Sequence, residues 1–178
     1  MQLEILSVLM GVIVGLYWAI NLLPKQSRLH KINQRKAKRL LCNLQNVTRS
    51  PAHVFGLLRR EDFFVFEELL LLCFQQRGFR IKKNLAYTGD GGIDGTFFDK
   101  SRNKFLIQAK RYRNSINPQH VTEFSEVIAR ERANGGFFIH TGRTGKKSYQ
   151  NLTPLVRIIS GNDLLVLLGA KLNKNTDI

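Results

Sequence analysis

The stretch GDGGIDGTFFDKSRNKFLIQAKRY, residues 89–112, decides the fold of this chain. Its opening glycines predict a turn, because glycine adopts backbone conformations that other residues avoid. Apolar and β-branched residues are then frequent from Ile93 to Phe98 and from Lys104 to Tyr112, which predicts two strands. The polar residues around Ser101 predict the turn that joins them. The stretch is therefore predicted to form a β-hairpin.

Helices and further strands are predicted on both sides of this hairpin. Upstream, Ser50-Pro51 is a typical helix start. Apolar residues from Phe66 to Phe74 recur at helical spacing, Gly78 ends the helix, and alternation from Phe79 to Tyr87 predicts a strand. The elements predicted downstream are a helix from Asn117 that ends at Asn134, a strand from Phe137 to Ile139, a helix from Lys146 to Asn151, a strand from Val156 to Ile159 and a helix from Asn162.

The predicted order of elements is α-β-β-β-α-β-α-β-α. Strands that alternate with helices in this way indicate an α/β fold, in which helices pack on a mixed central sheet.

Positive charge is concentrated in one part of the chain. The net charge is +15 over 178 residues. Residues 24–60 contain ten Lys or Arg and no acid, whereas residues 61–178 contain eighteen Lys or Arg and twelve acids. Excess Lys and Arg attract polyanions, either nucleic acid or an anionic membrane surface. The charge alone leaves both partners open.

The N-terminal part of the chain contains a long uncharged stretch, ILSVLMGVIVGLYWAINLL, at residues 5–23. At ~1.5 Å per residue, a helix of this length matches the hydrocarbon thickness of a bilayer. Tyr17 and Trp18 lie where interfacial aromatic residues are common, and basic residues follow Pro24. We predict a single-pass membrane protein with the rest of the chain in the cytoplasm, at the inner membrane if the source is bacterial. A buried core helix is the alternative.

Residues 25–49 combine loosely helical apolar spacing with basic polar positions. Three interpretations stay open for them: a helix on anionic lipid, an arm that follows DNA, or a solvated juxtamembrane linker. The predicted organisation is a transmembrane helix at residues 1–24, a basic linker or helix at 25–49 and a catalytic domain at 50–178.

The cysteines and histidines give no pattern of a disulfide framework or a zinc site. Cys73 lies on an apolar helical stripe and Cys42 lacks the neighbours of a reactive thiol, so both are predicted to be structural. His140, at the end of a buried strand, is also predicted to be structural.

Four polar residues on the predicted elements have the chemistry for phosphodiester hydrolysis. Gln108 and Lys110 share a strand face, because side chains two residues apart point the same way. Asp94 is predicted to point opposite to Ile93 and Gly95. It shares the face of Gln108 and Lys110 if residue numbers paired across the hairpin sum to an even number. Carboxylate and amide oxygens bind Mg²⁺, which activates water, and a lysine stabilises the growing negative charge. Glu67, in the middle of the first helix, can complete the metal shell.

These residues lie in motifs that resemble the catalytic domain of the Mrr-type restriction endonucleases, in the PD-(D/E)xK nuclease superfamily. Phe66-Glu67, GDGGIDG at 89–95 and Gln108-Ala109-Lys110 resemble the first three motifs, with Gln in place of the usual acid. Residues 135–142 and 158–164 resemble later elements, so the resemblance covers residues 51–170. His140 departs from it, since relatives tend to have Thr there.

The resemblance implies a DNA endonuclease of restriction-endonuclease-like fold that depends on Mg²⁺ or another hard cation such as Mn²⁺. It implies that Asp94, Gln108 and Lys110 are catalytic with support from Glu67, and that Asp94, Gln108 and Glu67 hold the metal. A homodimer is consistent with it, because each site of such a nuclease cuts one strand. The residues predicted to contact DNA are Arg111, Arg113, Arg143, Lys146 and Lys147.

Two other functions stay open. A domain that kept the fold and lost turnover would tether DNA at a membrane without cutting it. A membrane-bound assembly or exclusion protein is the third alternative, although it leaves the catalytic set unexplained. For Arg143, Lys146 and Lys147, a solvated loop is the alternative to DNA contact.

Overall fold

A computed structural model of the chain describes residues 10–15, 25–82, 92–150 and 152–173. The chain divides into two compact units, Met1–Ile32 and Asn33–Ile178. In the first unit, residues 10–15 are helical with exposed side chains. Among the described residues, no helix combines the length and the apolar character needed to cross a bilayer. Most of the predicted transmembrane helix, at residues 1–9 and 16–24, lies outside the described residues.

From the first strand onward, the described elements follow the predicted order, and residues 83–87 of the predicted first strand lie outside the described residues. The helices are α1 (Lys25–Asn46), α2 (Pro51–Arg60), α3 (Phe63–Gln76), α4 (Pro118–Arg130), α5 (Lys146–Gln150) and α6 (Gly161–Leu168), and the strands are β1 (Arg80–Lys82), β2 (Gly95–Phe98), β3 (Lys104–Lys110), β4 (Gly135–His140) and β5 (Val156–Ile159).

The first predicted helix of the catalytic domain is in fact two helices, α2 and α3. Ser50 caps α2 by accepting a hydrogen bond from His53 N at 3.3 Å, as its position before Pro51 predicts. The side chain of Asp62 then caps α3 by accepting from Phe64 N at 2.9 Å. The break therefore falls at a charged stretch, residues 59–62, where the Asp62 side chain caps a new helix.

The sheet has the strand order β1-β2-β3-β4-β5. The pairs β1/β2 and β2/β3 are antiparallel, and β3/β4 and β4/β5 are parallel. The hairpin pairs Gly95 with Ile107 and Phe97 with Phe105, so paired residue numbers sum to an even number, as predicted. The mixed α/β sheet is confirmed, and the carboxyl ends of β3, β4 and β5 lie at one edge.

The sheet separates two apolar layers. On one face, Phe97, Ile107 and Ile139 pack in a cluster with residues of α1, α2, α3 and α6. On the other face, Leu106 and Phe138 pack with residues of α4. Because Gln108 and Lys110 alternate with Ile107 and Ala109, they belong to the α4 face.

Helix α1 is joined to the core more closely than the predicted boundary at residue 50 implies. Ala37, Leu41 and Leu44 are buried in the core, and the compact unit begins at Asn33. Lys171 N donates to Leu44 O at 2.9 Å, which joins the helix to the last described segment. Because Lys and Arg are so frequent in this region, the sequence did not predict that its apolar stripe packs in the core.

The two cysteines differ in environment. Cys73 is buried, and burial raises the pKa of its thiol to about 12, so its predicted structural role fits. Cys42 is exposed on α1.

Candidate active site

The β2–β3 ladder ends at Gly95 and Ile107, and Asp94 begins an opening between the strands. Asp94 N donates to Ile107 O at 2.9 Å, and the Asp94 carboxylate accepts from Ala109 N at 2.6 Å. The carboxylate thus takes the position that a β2 carbonyl would hold in a continued antiparallel ladder.

This opening corrects the predicted alternation around Asp94. Ile93 and Gly95 were expected on one face. Gly95 instead lies against Leu71 of α3, whereas Ile93 packs on the opposite face with Leu106. The physical reason is that the ladder stops at Gly95 and the Asp94 side chain replaces the next backbone hydrogen bond.

Gln108 lies in the opening and is 8% exposed. Its Nε2 donates to Gly92 O at 2.8 Å. Its Oε1 is buried and has no hydrogen-bond partner among the described residues. A buried amide oxygen without a partner costs about 1–3 kcal/mol, so a cation or a water at this atom would offset a real penalty.

Gly92 is needed for this arrangement. Its φ is +90°, a conformation that favours glycine, and a Cβ there would lie 2.6 Å from Gln108 Nε2. Gly92, the last residue of the predicted glycine turn, therefore lets the Gln108 amide approach the backbone.

Lys110 ends β3 and is paired with His140 of β4. It is half-buried, and Thr141 N donates to its carbonyl at 3.2 Å. Strand alternation places its side chain on the same face as Gln108. Across the described ranges, no hydrogen bond or ion pair engages its ammonium group.

The register of α3 against the hairpin locates Glu67 along the sheet. Phe74 stacks on Phe97 with ring centroids 4.8 Å apart, and Leu71 lies against Gly95. A helix advances ~1.5 Å per residue and a strand ~3.3 Å. Glu67, one turn before Leu71, therefore lies near the level of Asp94, on the face opposite to Gln108.

Glu67 and its neighbour Glu68 are both buried, at 7% and 2% exposure. The motif pattern selected Glu67 and missed Glu68, since nothing in the sequence indicates that both carboxyl groups lie inside. Within the described ranges, no three His, Cys, Asp or Glu side chains come together as a metal cluster. Among the described residues, the oxygen donors identified at the opening are the Asp94 carboxylate and the Gln108 amide, which fit a hard cation.

Exposed basic residues lie at the same edge of the sheet as Lys110. Ile116 N donates to Arg143 O at 3.0 Å and Arg143 N donates to Asn114 O at 3.1 Å. These bonds join the segment after β3, which carries Arg113, to the segment after β4. The exposed basic side chains there are Arg113, Arg143, Lys146 and Lys147.

Arg111 differs from this basic group, because its side chain is turned inward. It donates to Glu61 O and lies 5.8 Å from the Phe63 ring centroid. Arg59, which the sequence did not single out, donates to Thr141 O at 2.7 Å. The two arginines therefore join the ends of β3 and β4 to α2 and the junction before α3. No sequence signal separates Arg59 from the other basic residues of its region.

His140 holds the loop that carries Arg143. Its Nδ1 accepts from Gly142 N at 3.2 Å, so Nε2 carries the proton and donates to Thr144 Oγ1 at 3.0 Å. Thr144 Oγ1 lies 2.9 Å from Ser160 Oγ. Burial lowers the pKa of His140 to about 4, which keeps the ring neutral at pH 7. The buried, structural position predicted for His140 agrees with these contacts.

The restriction endonuclease family model of Mrr catalytic domains matches residues 58–168. The solved structure of the MspJI restriction endonuclease in complex with a 27-mer oligonucleotide is 23% identical, with a TM-score of 0.49, over 66% of this chain and 30% of that one. The DNA modification-dependent restriction endonuclease AspBHI is 19% identical, with a TM-score of 0.47, over 72% of this chain and 37% of that one.

The chain thus spans about a third of the length of those two endonucleases. The comparison with curated proteins gives no match. Because the family model covers more than half of the chain, this protein belongs to the Mrr-type restriction endonuclease family.

Proposed function

We propose that this chain is a metal-dependent DNA endonuclease of the restriction type, which hydrolyses phosphodiester bonds. The observation that carries the proposal is the opening at the end of the β2–β3 hairpin. There the Asp94 carboxylate is fixed by Ala109 N, and the Gln108 oxygen is buried without a described partner. Lys110 follows on the same face as Gln108.

Asp94 and Gln108 would hold Mg²⁺ or Mn²⁺. Glu67, which α3 places on the other face of the sheet near the level of Asp94, would contribute through water. Hard divalent cations take carboxylate and amide oxygens as ligands, and the unsatisfied Gln108 Oε1 fits that need. When bound, such a cation polarises the phosphate and lowers the pKa of the attacking water.

The protein residues supply positioning and charge. The Gln108 amide is held by Gly92 O, and the Asp94 carboxylate is held by the β3 backbone, so neither group needs to reorganise during the reaction. The Lys110 ammonium orients the water and stabilises the negative charge that grows on the phosphate.

The basic residues beside the opening would bind the DNA backbone. Arg113, Arg143, Lys146 and Lys147 are exposed at the same edge as Lys110. Contacts of this kind position a duplex without reading its sequence. Arg111 would act from inside, by fixing the end of β3.

We also propose that residues 5–23 attach the enzyme to a membrane, with the catalytic domain in the cytoplasm. The support is the uncharged sequence and the exposure of the apolar side chains at residues 10–15, such as Met10 at 60% and Ile13 at 58%. Resistance of the full chain to alkaline carbonate extraction from membranes tests this part. A homodimer would place two single-strand cuts on one duplex, and light scattering with and without DNA tests it.

The test of the activity uses the full chain in mild detergent. Supercoiled plasmid, methylated and unmethylated, is incubated with Mg²⁺ or with EDTA. We expect nicking that requires Mg²⁺ and that Lys110→Ala lowers by roughly 10²–10³-fold, as for the loss of other groups that stabilise transition-state charge. Asp94→Asn should abolish the Mg²⁺-dependent nicking.

Lys104→Ala is the matched control, because Lys104 starts the same strand and pairs with Glu131 at 2.9 Å, far from the opening. It should leave the nicking rate of folded protein unchanged. Binding of plasmid without any cutting, unaffected by Lys110→Ala or Asp94→Asn, would instead indicate the inactive DNA tether.

A further inference from the structure

Helix α1 presents a basic surface that none of the catalytic residues accounts for. Asn33, Ala37, Leu41 and Leu44 are buried along one side of the helix. At 3.6 residues per turn, the side chains on the other side point away from the core. In the part of α1 that belongs to the second compact unit, four exposed basic residues there form what we call the α1 basic face: Arg35, Lys36, Lys38 and Arg39.

The α1 basic face has no acidic residue of its own helix to balance it. No Asp or Glu occurs anywhere from residue 24 to residue 60. Like charges at this spacing on a helix repel one another, which costs a few tenths of a kcal/mol per pair at positions four apart. A polyanionic partner would remove that repulsion, so charge complementarity defines the class of ligand.

The α1 basic face is distinct from the basic edge beside Lys110. Helix α1 packs in the cluster of α3 and α6, and Gln45 Nε2 donates to Leu168 O at 3.1 Å and to Gln76 Oε1 at 3.2 Å. That cluster lies on the sheet face opposite to Gln108 and Lys110. Helix α1 and the Lys110 side chain therefore belong to opposite faces of the sheet.

We propose that the α1 basic face binds the surface of an anionic phospholipid leaflet. The choice of lipid as the polyanion rests on the proposed membrane attachment, because only Pro24 separates residues 5–23 from the start of α1. Lys and Arg side chains near an anionic leaflet are attracted to it within a Debye length of about 8 Å.

Lipid binding at the α1 basic face would orient the catalytic domain relative to the membrane. Because Ala37, Leu41 and Leu44 fix α1 in the core, lipid bound at the α1 basic face holds the whole domain rather than a loose linker. The α4 face of the sheet, with Gln108 and Lys110, would then be directed away from the membrane and toward DNA in the cytoplasm.

The experiment measures the distance of α1 from lipid headgroups. Cys42 is exposed on the same helix and Cys73 is buried, so the full chain can be labelled at Cys42 alone. The labelled chain is placed in nanodiscs of phosphatidylcholine, with or without about 30 mol% phosphatidylserine, and energy transfer to a headgroup acceptor is recorded.

We expect transfer to increase with phosphatidylserine and to fall back at high salt. A quadruple substitution, R35Q, K36Q, K38Q and R39Q, should abolish the increase and leave plasmid nicking unchanged. The charge-matched control, R113Q, R143Q, K146Q and K147Q, should keep the increase and lose DNA affinity.

Equal transfer in both lipids for the unaltered chain would overturn the inference. A loss of DNA affinity in the α1 variant would overturn it in favour of a DNA-binding arm. The two proposals fail separately: absence of nicking with an intact lipid response removes only the nuclease. Failure of the chain to stay in either nanodisc removes the membrane attachment and the inference with it.

Discussion

The two ends of the β2–β3 hairpin are built in opposite ways. At one end, Phe97 lies between Phe74, Phe105 and Phe137, with ring centroids 4.8, 5.1 and 5.5 Å away. At the other end the ladder stops, and Gln108 keeps a buried oxygen without a described partner. Aromatic packing is concentrated at the first end, and the buried polar atom without a described partner lies at the second. The phenylalanine end therefore stabilises the hairpin, and this stability keeps the open end in place.

The largest effect is expected from Phe97→Ala. Removal of a buried aromatic ring should lower the free energy of unfolding by roughly 3–5 kcal/mol. Chemical denaturation of the full chain in detergent measures the loss. Since the ring lies in the apolar cluster and not at the opening, the nicking rate per folded molecule should stay unchanged at low temperature. A large loss of rate in folded protein would show that the two ends are not separable.

Gly92→Ala should act at the open end. The added Cβ would meet Gln108 Nε2, and the positive φ adds strain of about 1–3 kcal/mol. We expect the Gln108 amide to be displaced and plasmid nicking to fall by roughly tenfold, the equivalent of 1.4 kcal/mol.

Gly78→Ala is the control for backbone strain. Gly78 has a φ of +84°, and nothing lies within 4 Å of its Cβ position. It should lose stability without losing the nicking rate of folded protein. Equal rates in both variants would mean that the Gly92–Gln108 contact does not matter for the reaction.

His140 should make stability depend on pH. Its folded pKa is lowered to about 4 by burial, so between that value and the unfolded pKa near 6.5 the unfolded chain binds more protons. The contribution of His140 is therefore fully present above pH 6.5 and is lost as the pH falls, by up to about 1.4 kcal/mol per pH unit.

Denaturant midpoints of the full chain between pH 7 and pH 4 measure this slope. His140→Gln should reduce the slope, because the replacement does not titrate. A slope identical to that of the unaltered chain would assign the acid sensitivity to other groups.

The sequence predicted the sheet and its register well, because alternation along β2 and β3 reflects burial on two faces. Strand alternation failed at Asp94, where a carboxylate replaces a backbone carbonyl beside Ala109, a choice that no periodicity encodes. The inward turn of Arg111 likewise depends on one carbonyl, that of Glu61, supplied by a distant segment. The role of α1 in the core was hidden by its basic residues.

The proposed reaction requires the open end of the hairpin to hold a divalent cation. Binding of Mn²⁺ to the full chain, followed by the loss of its free electron paramagnetic resonance signal, tests it directly. We predict that Gln108→Leu, similar in size but without the amide, weakens Mn²⁺ binding by roughly tenfold or more. The exposed Gln119→Leu on α4 should not weaken it. Equal Mn²⁺ affinity in the unaltered chain and in Gln108→Leu would show that the Gln108 amide does not bind a cation at the opening.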